Sequence, residues 1–405
     1  MDLPAAALMD CGLSSDEADR LTNTLKEIPV QGDAAVWQHL ITQVLTPELP
    51  FSIHRLLYQR VFQQRIEQGI PAPAWFPGEQ ELSHSHLAEW LRDLNLNDMD
   101  QLQDWSVQNR EVFTQKLIDS LGIQFRQQPQ QVMNLSAGVE QVEWLNGAQL
   151  NIVESCFRNK SEQTAIVFQT GTSELQQLSY QALKVLTARV ANGLQEAGIQ
   201  PGERVAVMMP MTVESVALFL GIIAAGCVVV TIADSFSAEE MRVRLQITEP
   251  RLIFIQDVIS RNGKQLPLYA KLGQENPLPA IVLPERDSLQ VSLRSGDRLW
   301  AEFLSDDQNL NWVARNPHDE TTILFSSGTT GSPKGIPWDQ TTPIKAAGDG
   351  YLHHDIHAGD VVCWPTNLGW MMGPWLVYAS LINDATIALT DAVPTSRAFC
   401  EFVQN

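Results

Sequence analysis

The chain is short of positive charge. Against 47 aspartates and glutamates stand 27 lysines and arginines, a formal net charge of −20. Such a surface repels phosphate backbones and anionic lipid, which excludes nucleic acid and membrane surfaces as general partners. An anionic substrate would need a local positive site inside an acidic body. Paired cysteines are missing too. Cys11, Cys156, Cys227, Cys363 and Cys400 are scattered, odd in number and without a Cys-x-x-Cys spacing. That excludes a disulfide framework and a cysteine zinc site and predicts reduced thiols in a cytoplasmic protein. No basic region followed by an apolar core opens the chain, so no signal peptide is expected. Residues 402–405 (FVQN) match no lipidation or peroxisomal address.

One apolar run approaches membrane-spanning length: residues 215–233 carry no charge. Gly226 and Cys227 split it into a helix-like half and the β-branched run Val228, Val229, Val230, Thr231, Ile232. The pattern predicts a buried helix turning into a buried parallel strand, with no membrane span.

What is present is globular. At 44% hydrophobic over 405 residues, the chain can build two or three domains with real cores. Residues 1–95 are predicted to form a helical extension. Ser14 and Glu17 carry a capping-box spacing, and Leu56, Leu57, Val61, Phe62 and Ile66 follow helical periodicity. Residues 69–78 form a proline-rich connector, a second helical block runs over about 83–121, and the glutamine-rich 124–131 is expected as a surface linker. From about 163 the texture alternates. Strands are predicted at 164–168, 204–209, 228–232, 251–255 and 321–325. Helices are predicted from Ser179 as N-cap to Leu194 and after the capping box Ser237/Glu240. This βαβ rhythm predicts an α/β fold with a doubly wound parallel sheet, whose ligands sit where strands end.

Directly after the 321–325 run comes Ser326, Ser327, Gly328, Thr329, Thr330, Gly331, Ser332, Pro333, Lys334, Gly335. Glycines let the backbone approach a ligand, successive amides in such turns form an anion nest, and Lys334 adds a point charge. These are the parts of a polyphosphate cradle. A standard nucleotide P-loop would need Gly-Lys followed by Ser or Thr, whereas Lys334 lies between Pro333 and Gly335. A flexible surface loop is the plain alternative.

The stretch 327–335 is similar to the signature loop of the AMP-forming acyl-CoA synthetases, the adenylate-forming superfamily. Residues 316–320 (NPHDE) fit the same pattern. Residues 357–360 (HAGD), Trp364 and 367–373 (NLGWMMG) resemble the acetyl-CoA synthetase branch, as do 144–151 and the helical block around Asp104 and Trp105. The extension 1–95 is similar to that of plant-type acyl-activating enzymes. The resemblance covers about 100–405 and implies three segments: the extension 1–95, an acetyl-CoA synthetase-type segment 96–160, and an adenylate-forming domain over 161–405. It implies that Ser326, Ser327, Gly328, Thr329, Thr330, Gly331, Ser332 and Lys334 hold ATP phosphates. It also implies that Trp370, Met371, Met372 and Gly373 line an acyl pocket, and that Arg261 and Lys264 face coenzyme A phosphates. Core packing for the former group and a solvated charge pair for the latter are the plain alternatives. Lys264 stands where the family usually has an arginine, which loses bidentate geometry.

The implied activity is ATP- and Mg2+-dependent activation of a carboxylic acid to an acyl-adenylate and then an acyl-CoA. The family's catalytic lysine, on a C-terminal lid, and most adenosine contacts are expected beyond residue 405. No catalytic residue is therefore assigned within the chain. A non-catalytic nucleotide-binding or interaction protein is the alternative function. An incomplete sheet predicts an open edge and self-association. His353, His354, Asp355 and His357 are expected as polar loop residues and not as metal ligands.

Overall fold

The computed structural model describes the chain except residues 2, 30, 74–76, 159–160, 172, 262–263, 287 and 327–330, and for residue 261 the backbone alone. It divides into two compact units, Met1–Glu89 and Trp90–Asn405.

The first unit is helical. Its longer helices are Ser15–Lys26, Asp33–Gln43 and Phe51–Val61. The capping box forms: Glu17 accepts from the Ser14 amide at 2.9 Å and its own amide donates to Ser14 Oγ. The helices bury Leu8, Leu25, Leu40, Ile53, Leu57 and Phe62 completely. Trp37, Tyr58 and Phe62 meet edge to face in the same core. Of the periodic residues, Leu57 and Phe62 turn inward and Ile66 is exposed, because the helix breaks at Phe62 and changes its facing.

The second unit is layered around a seven-stranded sheet. Across it the strands are Arg298–Leu299, Ala280–Leu283, Ile253–Gln256, Arg204–Met208, Val228–Thr231, Glu320–Ser326 and Lys334–Asp339. All pair in parallel except the last, which returns antiparallel along Glu320–Ser326. A four-stranded sheet has the order Val361–Cys363, Thr386–Thr390, Thr164–Gln169, Gln176–Ser179, with only the last strand antiparallel.

Two helices fill the space between these sheets. Val213–Ala224 packs on the Arg204–Met208 and Val228–Thr231 strands, and Tyr180–Glu196 packs on the strands Thr164–Gln169 and Gln176–Ser179. The helices touch where Gly221 meets Val190; a Cβ there would lie 2.6 Å from the valine side chain. The apolar run thus forms the predicted helix and strand, both buried within the unit. Gly226, at φ +76°, makes the left-handed turn between them. Among the described residues no helix is long and apolar enough to cross a membrane.

Other expectations shift slightly. Leu178 belongs to a strand, and the helix capped by Ser179 runs Tyr180–Glu196. The 124–131 stretch is not a free linker: the amides of Arg126 and Gln127 both donate to Gln149 O, and Gln131 opens a strand paired with Glu143–Asn146. Backbone amides in a surface segment take whatever carbonyl lies alongside, and composition does not reveal that neighbour.

Candidate functional site

Because the central strands are parallel, their carboxyl ends share one edge of the sheet. Three features of the sequence come to that edge.

The first is the hairpin Glu320–Ser326 and Lys334–Asp339. Thr321, Thr322, Ile323 and Leu324 are buried, and Thr231 Oγ1 donates to Ile323 O at 3.2 Å, tying the strand to its parallel neighbour. The register sets Ser326 opposite Lys334. Ser327, Gly328, Thr329 and Thr330 lie outside the described residues. Gly331 has φ +83°, a backbone that a side chain would strain. Ser332 and Lys334 are exposed, and among the described residues no carboxylate lies within 4 Å of Lys334. Lys334 proves to be the first residue of a strand. The cation is therefore aimed by β pairing, and no helix N-terminus follows the loop.

The second feature is the turn that carries the proposed acyl wall. Gly369 packs against Ala233 so closely that a Cβ would lie 2.2 Å from the Ala233 nitrogen. A Cβ on Gly373 would lie 2.2 Å from Asn367 O. Asn367 Nδ2 donates to Asp234 Oδ1 at 2.9 Å, and its own Oδ1 accepts from the Gly369 amide at 2.9 Å. The turn is thus fastened just beyond the Val228–Thr231 strand, beside the hairpin. It presents Trp370 at 50% exposure and Met371 at 53%, while Met372 is half-buried and Gly373 buried. Trp370 and Met371 are therefore not core residues. Gly373 is a backbone-packing residue of the turn.

Behind this wall is a node that the sequence did not single out. Phe236 meets Trp370 edge to face at 5.7 Å. The Arg244 guanidinium lies 3.9 Å from the Phe236 ring centre and 5.3 Å from that of Phe325. Lys271 Nζ donates to Asp234 O at 2.8 Å and to Phe236 O at 2.6 Å. The capping box Ser237/Glu240, which is formed, gave the helix; Arg244, four residues on, was the one available signal.

The third feature is the hairpin of strands Val258–Arg261 and Lys264–Pro267, where Arg261 and Lys264 are cross-strand partners. It follows the Ile253–Gln256 strand and stands on the buried Asp257, whose carboxylate accepts from the amides of Val258, Glu285 and Gln290. Lys264 is exposed. The Ile253–Gln256 strand lies three places from Glu320–Ser326, about 14 Å across the sheet. The Arg261/Lys264 hairpin and the Ser326/Lys334 pair therefore belong to separate parts of the edge.

The histidine stretch is more ordered than a loop. His353 closes the helix Thr342–His353, His354 packs edge to face on Trp375 at 4.9 Å, and His357 Nε2 lies 3.2 Å from Asp355 Oδ2.

Residues 153–405 match the AMP-binding enzyme family. The chain belongs to that family. Residues 2–63 match the SAM domain of probable acyl-activating enzymes 17/18. Hexanoyl-CoA synthase of Cannabis sativa is 38% identical over 99% of this chain and 59% of its own length. Probable acyl-activating enzyme 17, peroxisomal, of Arabidopsis thaliana is 37% identical over 97% of this chain and 58% of its own. An acetoacetyl-CoA synthetase from Streptomyces lividans superposes with a TM-score of 0.73 at 27% identity, over 80% of this chain and 52% of that one. The chain thus spans about three fifths of the length of these curated relatives.

Proposed function

We propose that this chain supplies the phosphate-binding and acyl-binding parts of an AMP-forming acyl-CoA synthetase. The observation that carries this is the pairing of Lys334 with Ser326 at the carboxyl edge of the parallel sheet, with Gly331 at positive φ three residues before the lysine. A cation with no acid partner among the described residues fits a polyphosphate, in a protein whose net charge is −20. Residues 326–332 and Lys334 hold the β- and γ-phosphates of ATP. Trp370, Met371 and Met372 face the acid's apolar tail, and Gly373 lets their turn close. Arg261 and Lys264 meet the phosphates of coenzyme A. Mg2+, when bound with ATP, neutralises phosphate charge.

The carboxylate oxygen of the acid attacks the α-phosphorus and pyrophosphate leaves. The coenzyme A sulfur then attacks the acyl carbon, the bond to AMP breaks, and the thiol proton passes to solvent. This chain's share is positioning and charge neutralisation. A short- to medium-chain acid suits the exposed Trp370 and Met371 and the hexanoyl-named relative. The working organisation is 1–95 as the extension, 96–160 as the synthetase-type segment and 161–405 as the adenylate-forming domain. The free cysteines favour a reducing compartment. The cytoplasm is our assignment, and the peroxisomal names of two relatives, probable acyl-activating enzymes 17 and 18 of Arabidopsis thaliana, supply the alternative for a tagged-protein localisation experiment to decide.

The test is titration of the folded chain with MgATP, followed by ATP–pyrophosphate exchange over acids from acetate to medium-chain and aromatic carboxylates. Binding should weaken about tenfold or more in Lys334→Ala, the loss of a charge-assisted contact. No MgATP binding by the folded chain would overturn the reading. Binding without exchange for any acid would select the second reading, a non-catalytic nucleotide-binding module.

A further inference from the structure

Arg244 is only 7% exposed, yet among the described residues no carboxylate lies within 4 Å of it. One of its Nη atoms donates to Glu240 O at 2.8 Å, within its own helix, and its buried Nε has no hydrogen-bond partner among the described residues. A buried cation is costly unless something offsets its lost hydration. Here the offset is aromatic: the guanidinium lies against Phe236 at 3.9 Å and within 5.3 Å of Phe325.

The two rings belong to different parts of the site. Phe325 immediately precedes Ser326, the first residue of the hydroxyl loop. Phe236 meets Trp370, the first residue of the acyl wall. The remainder of the Phe236 turn is held fast by Lys271 and by the Asp234–Asn367 bond. A rigid turn with one ring between Trp370 and a guanidinium passes displacement on and absorbs little of it.

We propose that Arg244 is a positioning residue that couples the acid pocket to the phosphate loop, so that an acid against Trp370 tightens ATP binding, and ATP tightens acid binding equally. The coupling rests on the site reading given above. It works through Trp370, Phe236, the guanidinium plane and Phe325, in that order. It requires the planar, stacking cation: lysine keeps the charge without the plane, and methionine keeps much of the volume without the charge.

Two measurements on the full chain test it. First, the Kd of a non-hydrolysable ATP analogue with Mg2+ is measured with and without saturating hexanoate. The wild type should show tightening of about fivefold or more, the usual size of a coupling between sites. Arg244→Met should bind each ligand with the tightening abolished, and Arg244→Lys should retain only part of it. Tightening that survives in Arg244→Met, or that is absent from a wild type binding both ligands, overturns the proposal. Second, hydrogen exchange is compared without ligand. In Arg244→Met, exchange should rise both in the hairpin strands 320–326 and 334–339 and in the turn 367–373, with 204–208 unchanged. A rise in only one of them, or in neither, overturns the proposal. If the wild type binds no nucleotide, the site reading fails, and the exchange comparison still decides whether Arg244 joins the two segments. If Arg244→Met does not fold, Arg244→Lys carries both measurements.

Discussion

A Cβ on Gly369 would lie 2.2 Å from the Ala233 nitrogen and 2.5 Å from its Cα. Those are backbone atoms, so the 367–373 turn itself would have to move. Gly369→Ala should cost about 1–3 kcal/mol, the range for overpacking, as read by urea denaturation. It should also change which acids support exchange, because Trp370 is the next residue. A wild-type acid preference would separate the turn from specificity. Asp339 offers a pH test at the same scale. Burial pushes its carboxyl up, but hydrogen bonds from Thr341 and His318 and from the amides of Thr341 and Thr342 outweigh this and hold it below its ordinary value. A depressed folded value gives stability that is fully present above the unfolded value, about pH 4, and is lost as pH falls through the folded one. Melting temperature should drop below about pH 4 in the wild type, and Asp339→Asn should show a shallower drop from a lower start. Equal slopes would remove Asp339 from the acid response.

The helix pair Tyr180–Glu196 and Val213–Ala224 spaces the two sheets, and Gly221 lets the helices approach. A Cβ there would lie 2.6 Å from Val190 and 2.9 Å from Thr187 O. Two effects compete in Gly221→Ala. Helix propensity favours alanine by about 1 kcal/mol, while overpacking against a neighbouring backbone costs about 1–3 kcal/mol. The clash should win, giving a lower denaturation midpoint at an unchanged slope. A gain in stability would mean the helices can spread without loss. Most elements of this layer were legible beforehand, since long apolar runs and capping boxes are local signals. The return strand Lys334–Asp339 was not. Its residues 335–337 are exposed, and a glycine and a proline weaken any strand pattern. Only the neighbouring strand makes it one.

At the scale of the whole molecule, the four-stranded sheet ends, among the described residues, on the strand Val361–Cys363, which pairs there on one side, with Val361 60% exposed and Trp364 beside it 41% exposed. Unpaired strand edges bearing apolar side chains recruit other chains. The chain should self-associate with rising concentration in sedimentation velocity, and Val361→Lys should reverse this. A concentration-independent monomer would show that the edge is protected. The acidic surface works against association at long range, so added salt should strengthen it.

The sequence by itself determined the alternation of strands and helices, the helical first unit and the placing of a hydroxyl- and glycine-rich loop after a buried strand. These are written in periodicity, caps and turn residues, which act over a few neighbours. It also marked Trp370 and Lys334 as residues of interest. Tertiary structure alone decided that Lys334 opens an antiparallel strand opposite Ser326, and that Gly369 seats the 367–373 turn on Ala233. It alone set Arg244 between Phe236 and Phe325, rings 89 positions apart in the chain. The physical reason is range. Cation–π contacts, close backbone packing and edge-strand pairing depend on what lies across space, and no local pattern encodes that neighbour.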